Sequence, residues 1–157
     1  MPYQSGTVAR EIHRLASANS RPVTPLELIK LTYIAHGWSL GLRGVPLVSE
    51  NAEAWQYGPV FPELYHGLKH FRAFPVTEVP AIGLEMVGIR DEIADDDKGL
   101  IASVFEAYRK LNGVQLSSLT HQPNTPWDLA WRKGKNSVIS NTSIESHFKE
   151  LAKQRAA

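Results

Sequence analysis

The chain has 157 residues, 17 Lys and Arg against 16 Asp and Glu, and no cysteine. A near-neutral balance sets up no basic field to draw nucleic acid in from a distance, and the absence of thiols excludes disulfides, thiolate zinc sites and cysteine nucleophiles. A chain of this length buries about 70% of its unfolded surface, so residues 1–157 read as one domain that folds without a staple.

From the N-terminus, no basic-then-apolar leader is visible and no apolar run approaches the ~20 residues of a membrane span. With the missing cysteines, this sets the expectation of a cytoplasmic protein. Val8, Ile12, Leu15 and Ala16 recur at helical spacing and predict a helix from about Ser5 to Asn19, closed by Arg21-Pro22. Thr24-Pro25-Leu26-Glu27 is a capping box with proline at the first helical position. The helix it opens is apolar on more than one face, through Leu28, Leu31, Ile34, Ala35 and Trp38 and then Leu26, Ile29 and Tyr33. That pattern predicts a central, buried helix, which Gly41 and Gly44 should stop.

Val45 to Ala54 reads as a loop with at most a brief strand. After Gly58-Pro59, a turn of helix starts at Pro62-Glu63 with Val60, Phe61, Leu64, Leu68 and Phe71 on one side, and Pro75 ends it. Val76 to Val79 and Leu84 to Ile89, around Pro80-Ala81-Ile82-Gly83, have the composition of a weak two-stranded hairpin. Asp95-Asp96-Asp97 places negative charge at the start of a helix carrying Leu100, Ile101, Val104, Phe105, Tyr108 and Leu111, with Asn112-Gly113 closing it. The triad is an N-terminal charge cluster and not a calcium loop, since the glycine and distal glutamate of an EF-hand are missing. Leu116 to His121 predicts a short helix, and Thr125-Pro126-Trp127-Asp128 caps another that ends at Gly134. Thr142-Ser143-Ile144-Glu145 reads as a capping box for a last helix striped by Ile144, Phe148 and Leu151. The expected fold is mainly α, a compact single helical domain with a small, weak β-hairpin.

Candidate chemistry is sparse. Glu63-x-x-His66 with His70 one turn on has chelating spacing, but a di-iron bundle needs a second such motif and a zinc protease needs glutamate directly after the first histidine. No metal and no cofactor is expected. His121 ends a short helix near Ser117 and Ser118, without a nucleophile elbow; a structural bond to loop carbonyls is the expected role, and a hydrolase using His121 or the His66/His70 pair is the enzymatic alternative. A helix-turn-helix reading of Pro25 to Gly44 would need several base-reading side chains and finds Lys30, His36 and little else, which leaves a transcription regulator as a weaker alternative. Among the aromatics, Trp55 and Trp127 are expected as core anchors that shape loops, and Tyr57 as a residue facing a partner.

Leu28 to Trp38, then Pro46-Leu47, then Glu53-Ala54-Trp55-Gln56-Tyr57-Gly58-Pro59-Val60-Phe61-Pro62-Glu63-Leu64-Tyr65, then Leu119-Thr120-His121 with Pro126-Trp127, resembles the Panacea domain of SocA-like, phage-associated antitoxins. The resemblance spans almost the whole chain, and Lys30, Tyr33, Trp55, Tyr57, Gly58, Pro59, His121, Pro126 and Trp127 fall at its most characteristic positions. It implies a non-enzymatic protein that neutralises a small co-encoded toxin by contact, with a prophage setting. It also implies a rival role as a proteolytic adaptor that hands the toxin to ClpXP, touching ClpX. Many members continue past the last helix, so this sequence reads as the bare domain. Tyr57, Gly58, Pro59, His121 and Pro126 are the expected partner-binding positions, and Lys30, Tyr33, Trp55 and Trp127 the structural ones. The two loops that carry the binding positions are expected to lie near each other.

Overall fold

The structure, a computed structural model, describes residues 2–156. Its centre is α2 (Pro25–Arg43), whose residues from Leu28 to Leu40 are all buried. The helix begins where the sequence says it should. Thr24 accepts the Glu27 N–H, and the Glu27 carboxylate accepts the Thr24 N–H at 2.9 Å. It ends at the second of the two expected glycines, Gly44, whose φ of +70° closes it in the left-handed conformation. Gly41 lies inside the helix, not at its end.

A helix buried on every side needs partners on every side. α1 (Ser5–Ala18), α4 (Asp95–Tyr108), α5 (Gly113–Thr120) and α7 (Asn141–Ala156) pack around it. α7 makes the most extensive contact, and two glycines allow it. A Cβ on Gly37 would sit 2.2 Å from the Phe148 ring, and one on Gly41 would sit 2.6 Å from Phe148 Cβ. Gly37-x-x-x-Gly41 is thus a groove that seats one phenylalanine edge-on between Tyr33 and Trp38. At the far end Arg155 stacks 4.9 Å over Trp38 and donates to the Tyr108 hydroxyl at 3.0 Å, tying α7 to α2 and α4.

His36 shows how polar groups survive in this interior. It is 0% exposed. Its Nδ1 accepts from the Val48 N–H at 3.1 Å, so its proton lies on Nε2, which donates to Asn141 Oδ1 at 2.9 Å. Burial lowers its pKa, and the neutral ring joins α2 to the following loop and to the start of α7.

The β element lies elsewhere than the composition suggests. β1 (Ala52–Trp55) and β2 (Gly58–Val60) form a tight antiparallel hairpin, with Trp55 opposite Gly58 and only Gln56 and Tyr57 in the turn. β3 (Val138–Ile139) pairs antiparallel with the other side of β1, giving the order β2-β1-β3. Residues 76–79 form no strand, and Gly83–Val87 is a 3₁₀ turn. The expected hairpin fails there because α1 takes its backbone acceptors: His13 meets the Val76 carbonyl at 2.8 Å, and Arg10 reaches those of Val79 and Pro80. Buried Val76, Val79 and Ile82 pin the segment as an irregular strap.

Two helix boundaries also move. Asn112 does not close α4, which stops at Tyr108; it caps α5 reciprocally with Gln115, each side chain accepting the other's N–H at 2.9 Å. α7 starts at Asn141, with Ser140 Oγ accepting the Ser143 N–H, so Thr142 is already inside the helix. α3 (Pro62–Leu68) and α6 (Pro126–Lys133) start at the prolines the sequence marks, and Thr125 caps α6 through the Asp128 N–H.

Two glycine substitutions should act in opposite directions. Gly37→Ala drives a methyl into Phe148 and is expected to cost about 1–3 kcal/mol. Gly99→Ala, in α4 with open space around it, is expected to gain about 0.5–1 kcal/mol from helix propensity. Urea unfolding of both variants decides; equal midpoints would contradict the close α2–α7 approach.

Candidate functional site

The site is built around the hairpin of β1 and β2. Neither Gln56 nor Tyr57 has positive φ; the unusual conformation falls on Gly58, at +116°. A side chain there is excluded twice, by the backbone and because a Cβ would meet Lys30 Nζ at 3.0 Å. Pro59 follows on an edge strand, where its missing N–H costs the ladder nothing. Its carbonyl accepts from Lys30 Nζ at 2.9 Å.

Lys30 is therefore the pivot of the site. It is 1% exposed, and no carboxylate among the described residues lies within 4.0 Å of it. Burial pulls its pKa down to about 7. A lysine in the first half of the core helix thus holds the hairpin by its backbone, about half ionised at pH 7 and with no carboxylate to pair it. With it on the buried side goes His36, so α2 has no solvent face of base-reading side chains, and the helix-turn-helix alternative loses its recognition helix.

Two more bonds fix the hairpin from the other side. Ser117 Oγ on α5 donates to the Tyr57 carbonyl, and Trp127 Nε1 on α6 donates to the Trp55 carbonyl at 2.6 Å. The carbonyls of Trp55, Tyr57 and Pro59 are each taken by a different helix. The loop from His121 to Pro126 joins those two helices, so the two expected binding loops do lie together. His121 directs Nδ1 at the Ser117 carbonyl, one turn back, and packs edge-on against Trp127. Trp127 is buried and stacks on Trp131; Pro126 is buried under the first turn of α6.

Trp55 departs from expectation. It is half-buried, not a core residue: its indole donates to Glu53 at 2.9 Å and packs edge-on against Tyr65 and His66. Tyr57, by contrast, is 69% exposed at the turn tip. Tyr33 is buried in α2, and its hydroxyl has no protein partner; it borders a space of about 110 Å³ beside Thr120 and Thr125. His66 and His70 are both exposed, and among the described residues no three His, Asp or Glu groups converge as a metal site.

What these pieces enclose is a cleft of about 470 Å³ between the hairpin and the start of α2. Lys30 and Ile29 line its buried side, Trp55, Tyr57 and Tyr65 its aromatic side, and Lys69, Arg72 and Lys135 its open edge. The rim cations were not singled out in the sequence, since Lys69 and Arg72 follow α3 whereas Lys135 lies more than sixty residues later, after α6. Only Lys30, at its motif position, could have been found there.

The one serine–histidine pair weighed in the sequence does meet, Ser117 Oγ lying 3.4 Å from His121 Nδ1, but the hydroxyl donates to the Tyr57 carbonyl and the imidazole is directed at the Ser117 carbonyl. No helix among the described residues is long and apolar enough to cross a membrane. The family described as antitoxin SocA-like, Panacea domain, matches residues 28–128, from α2 into α6. A curated protein of Caulobacter vibrioides (strain NA1000 / CB15N), Antitoxin SocA, is 32% identical over 119 residues, which is 73% of this chain and 63% of that protein. The chain thus spans somewhat less than two thirds of the length of this curated relative. No solved structure matches.

The buried lysine predicts a pH signature. Its folded pKa lies below its unfolded value, so the unfolded chain holds the extra proton between about pH 7 and 10.5, and stability gains from this group as pH rises through that window. Wild type should gain on Lys30→Met by about 2 kcal/mol between pH 7 and 9. Urea titrations at the two pH values read the difference; a constant gap would mean that Lys30 is not held in an anomalous state.

Proposed function

Because the chain belongs to the antitoxin SocA-like, Panacea-domain family, we propose that it is a cytoplasmic binding protein that neutralises a small, co-encoded toxin by direct contact, without catalysis. The observation that carries this reading is the presentation of Tyr57. A large aromatic stands exposed at the tip of a two-residue turn whose flanking carbonyls are bonded to α2, α5 and α6. Exposed aromatics on a pre-ordered loop are the side chains that dominate binding energy, because little entropy is lost when they are covered.

In this mechanism the toxin docks over the hairpin and the adjoining cleft, and loses access to its own target. Gly58 and Pro59 shape the turn from beneath rather than touch the partner, since both are buried. His121 and Pro126 act in the same indirect way, through Ser117 and Trp127. Half-buried Trp55 is the residue with both roles: it supports Tyr65 and forms part of the surface.

Co-expression with small neighbouring reading frames tests the reading. One of them should arrest growth alone and be rescued by this protein. Tyr57→Ala should weaken the complex by about 1–3 kcal/mol at unchanged melting temperature. Trp55→Ala should lose both binding and about 1–3 kcal/mol of stability, less than a fully buried tryptophan would. Toxin half-life in the rescued cells separates the mechanisms: occlusion leaves it unchanged, whereas delivery to ClpXP shortens it. A toxin complex indifferent to Tyr57→Ala would move the docking surface elsewhere, and no toxic neighbour at all would count against the proposal.

A further inference from the structure

The cleft beside the Tyr57 turn has a one-sided charge. Lys30 lies at its base and Lys69, Arg72 and Lys135 at its edge, while no Asp or Glu lines it. The whole chain is nearly balanced, at a formal net charge of +1, so this local excess is not a reflection of overall composition. Elsewhere on the protein several cations are paired, among them Arg10 with Glu85, Arg14 with Glu11, Arg21 with Glu27, Arg43 with Asp97 and Arg132 with Asp128, although Arg90, Lys98, Lys110, Lys133, Lys153 and Arg155 are in none of the ion pairs found. The four cations of the cleft form none of the ion pairs found among the described residues.

We propose that this cleft reads an acidic segment of the toxin: an Asp or Glu side chain enters over Lys30 between the rim cations, while an apolar neighbour of that residue packs on Leu26, Ile29 and Val60. The proposal rests on the reading of the chain as a toxin-binding protein and gives that partner a chemistry. Charge complementarity selects the occupant. A lysine that is 1% exposed and unmatched by any carboxylate is an incomplete ion pair, and an incoming carboxylate completes it in a low-dielectric setting, where the attraction is strongest. Burial already holds the Lys30 pKa near neutrality, about 7, and an anion above it restores the full charge.

The same surface is poorly built for phosphate. Phosphate sites use free backbone N–H groups at helix starts or glycine-rich loops, with a bidentate fork. The helix that opens onto this cleft starts with Pro25, which has no N–H, and the capping box of Thr24 and Glu27 occupies two of the donors at that end. A compact ammonium at the base and an apolar wall fit one carboxylate with a hydrophobic companion better than a nucleotide. Acid recognition also explains specificity: a partner segment that offers Lys or Arg here meets four like charges and is rejected.

Panning a phage-displayed random peptide library against the full chain tests this even before the toxin is identified. Peptides enriched in Asp or Glu next to Leu, Ile, Val or Phe are the expected yield. Their affinity should fall about tenfold in Lys30→Met and further in the triple variant K69E/R72E/K135E, whose changes are all at exposed positions and leave the fold intact. Neither inorganic phosphate nor AMP should displace them. Peptides without acidic enrichment, no enriched peptides, equal affinity for the triple variant, or displacement by AMP would each overturn the proposal, the last by making the cleft a nucleotide site. The co-encoded toxin is measured on the same variants. A wild-type complex that both variants retain removes the acid pocket and leaves the antitoxin reading standing. Acidic peptides with no toxic neighbour remove the antitoxin reading and leave the pocket.

Discussion

Every part of this protein answers to one constraint: α2 is surrounded. A helix with one apolar stripe can lie on a surface, but a helix buried on all sides fixes what must lie against each of its faces. The glycine pair at Gly37 and Gly41 admits α7 to van der Waals contact. His36, neutral and bonded at both nitrogens, fills the polar gap between that contact and the loop at Val48. Nearer the N-terminus, Lys30 supplies the donor that the β2 backbone requires. A buried polar group without a partner is costly, so each of these pairings specifies position as well as adding stability.

The surface inherits its order from that interior. The hairpin has strands of only four and three residues, too short to be stable alone. It is rigid because three helices hold its carbonyls and because β3 returns, from far along the chain, to pair with its outer edge. A side chain at such a turn is ordered before anything covers it. The buried lysine is a cost in the core: burial pulls its pKa down to about 7, so it destabilises the folded state at neutral pH, and it lies at the base of an open cleft. Sites often break the rules that the rest of the fold obeys, and the local departures here, Gly58 at positive φ and Lys30 without a counter-ion, occur side by side.

Helix starts were legible in the sequence because capping is local chemistry. Thr24 with Glu27, and Thr125 before Pro126, declare themselves within four residues, and α1, α2, α4 and α6 follow within a residue or two of expectation. Strands were not legible, because pairing is non-local. β1 and β2 lack the Asn-Gly or Asp-Gly signal of a two-residue hairpin, since the left-handed backbone falls one residue later, on Gly58. The segment from Val76 to Ile89 has strand composition, but Arg10 and His13 claim its carbonyls. Gly41 looked like a helix stop because nothing local reveals that Phe148 needs the room. The characteristic motif residues were visible as a set, but not their burial: of the three expected to face a partner at this turn, Tyr57 stands exposed while Gly58 and Pro59 are buried. The cleft was not visible, for its cations sit on unrelated stretches and only the fold brings them to one rim.

The seating of Phe148 on Gly37 and Gly41 also sets the order of events during synthesis. α2 leaves the ribosome long before α7, and until then its glycine face and the flanking Tyr33 and Trp38 are bare. β1 waits in the same way for β3. The nascent chain therefore has no finished hairpin and no finished cleft, and it displays apolar surface of the kind that chaperones and proteases recognise. A chain that stops before Asn141 lacks both the phenylalanine that fills the Gly37–Gly41 groove and the asparagine that bonds His36, so one whole face of α2 stays open until translation is complete.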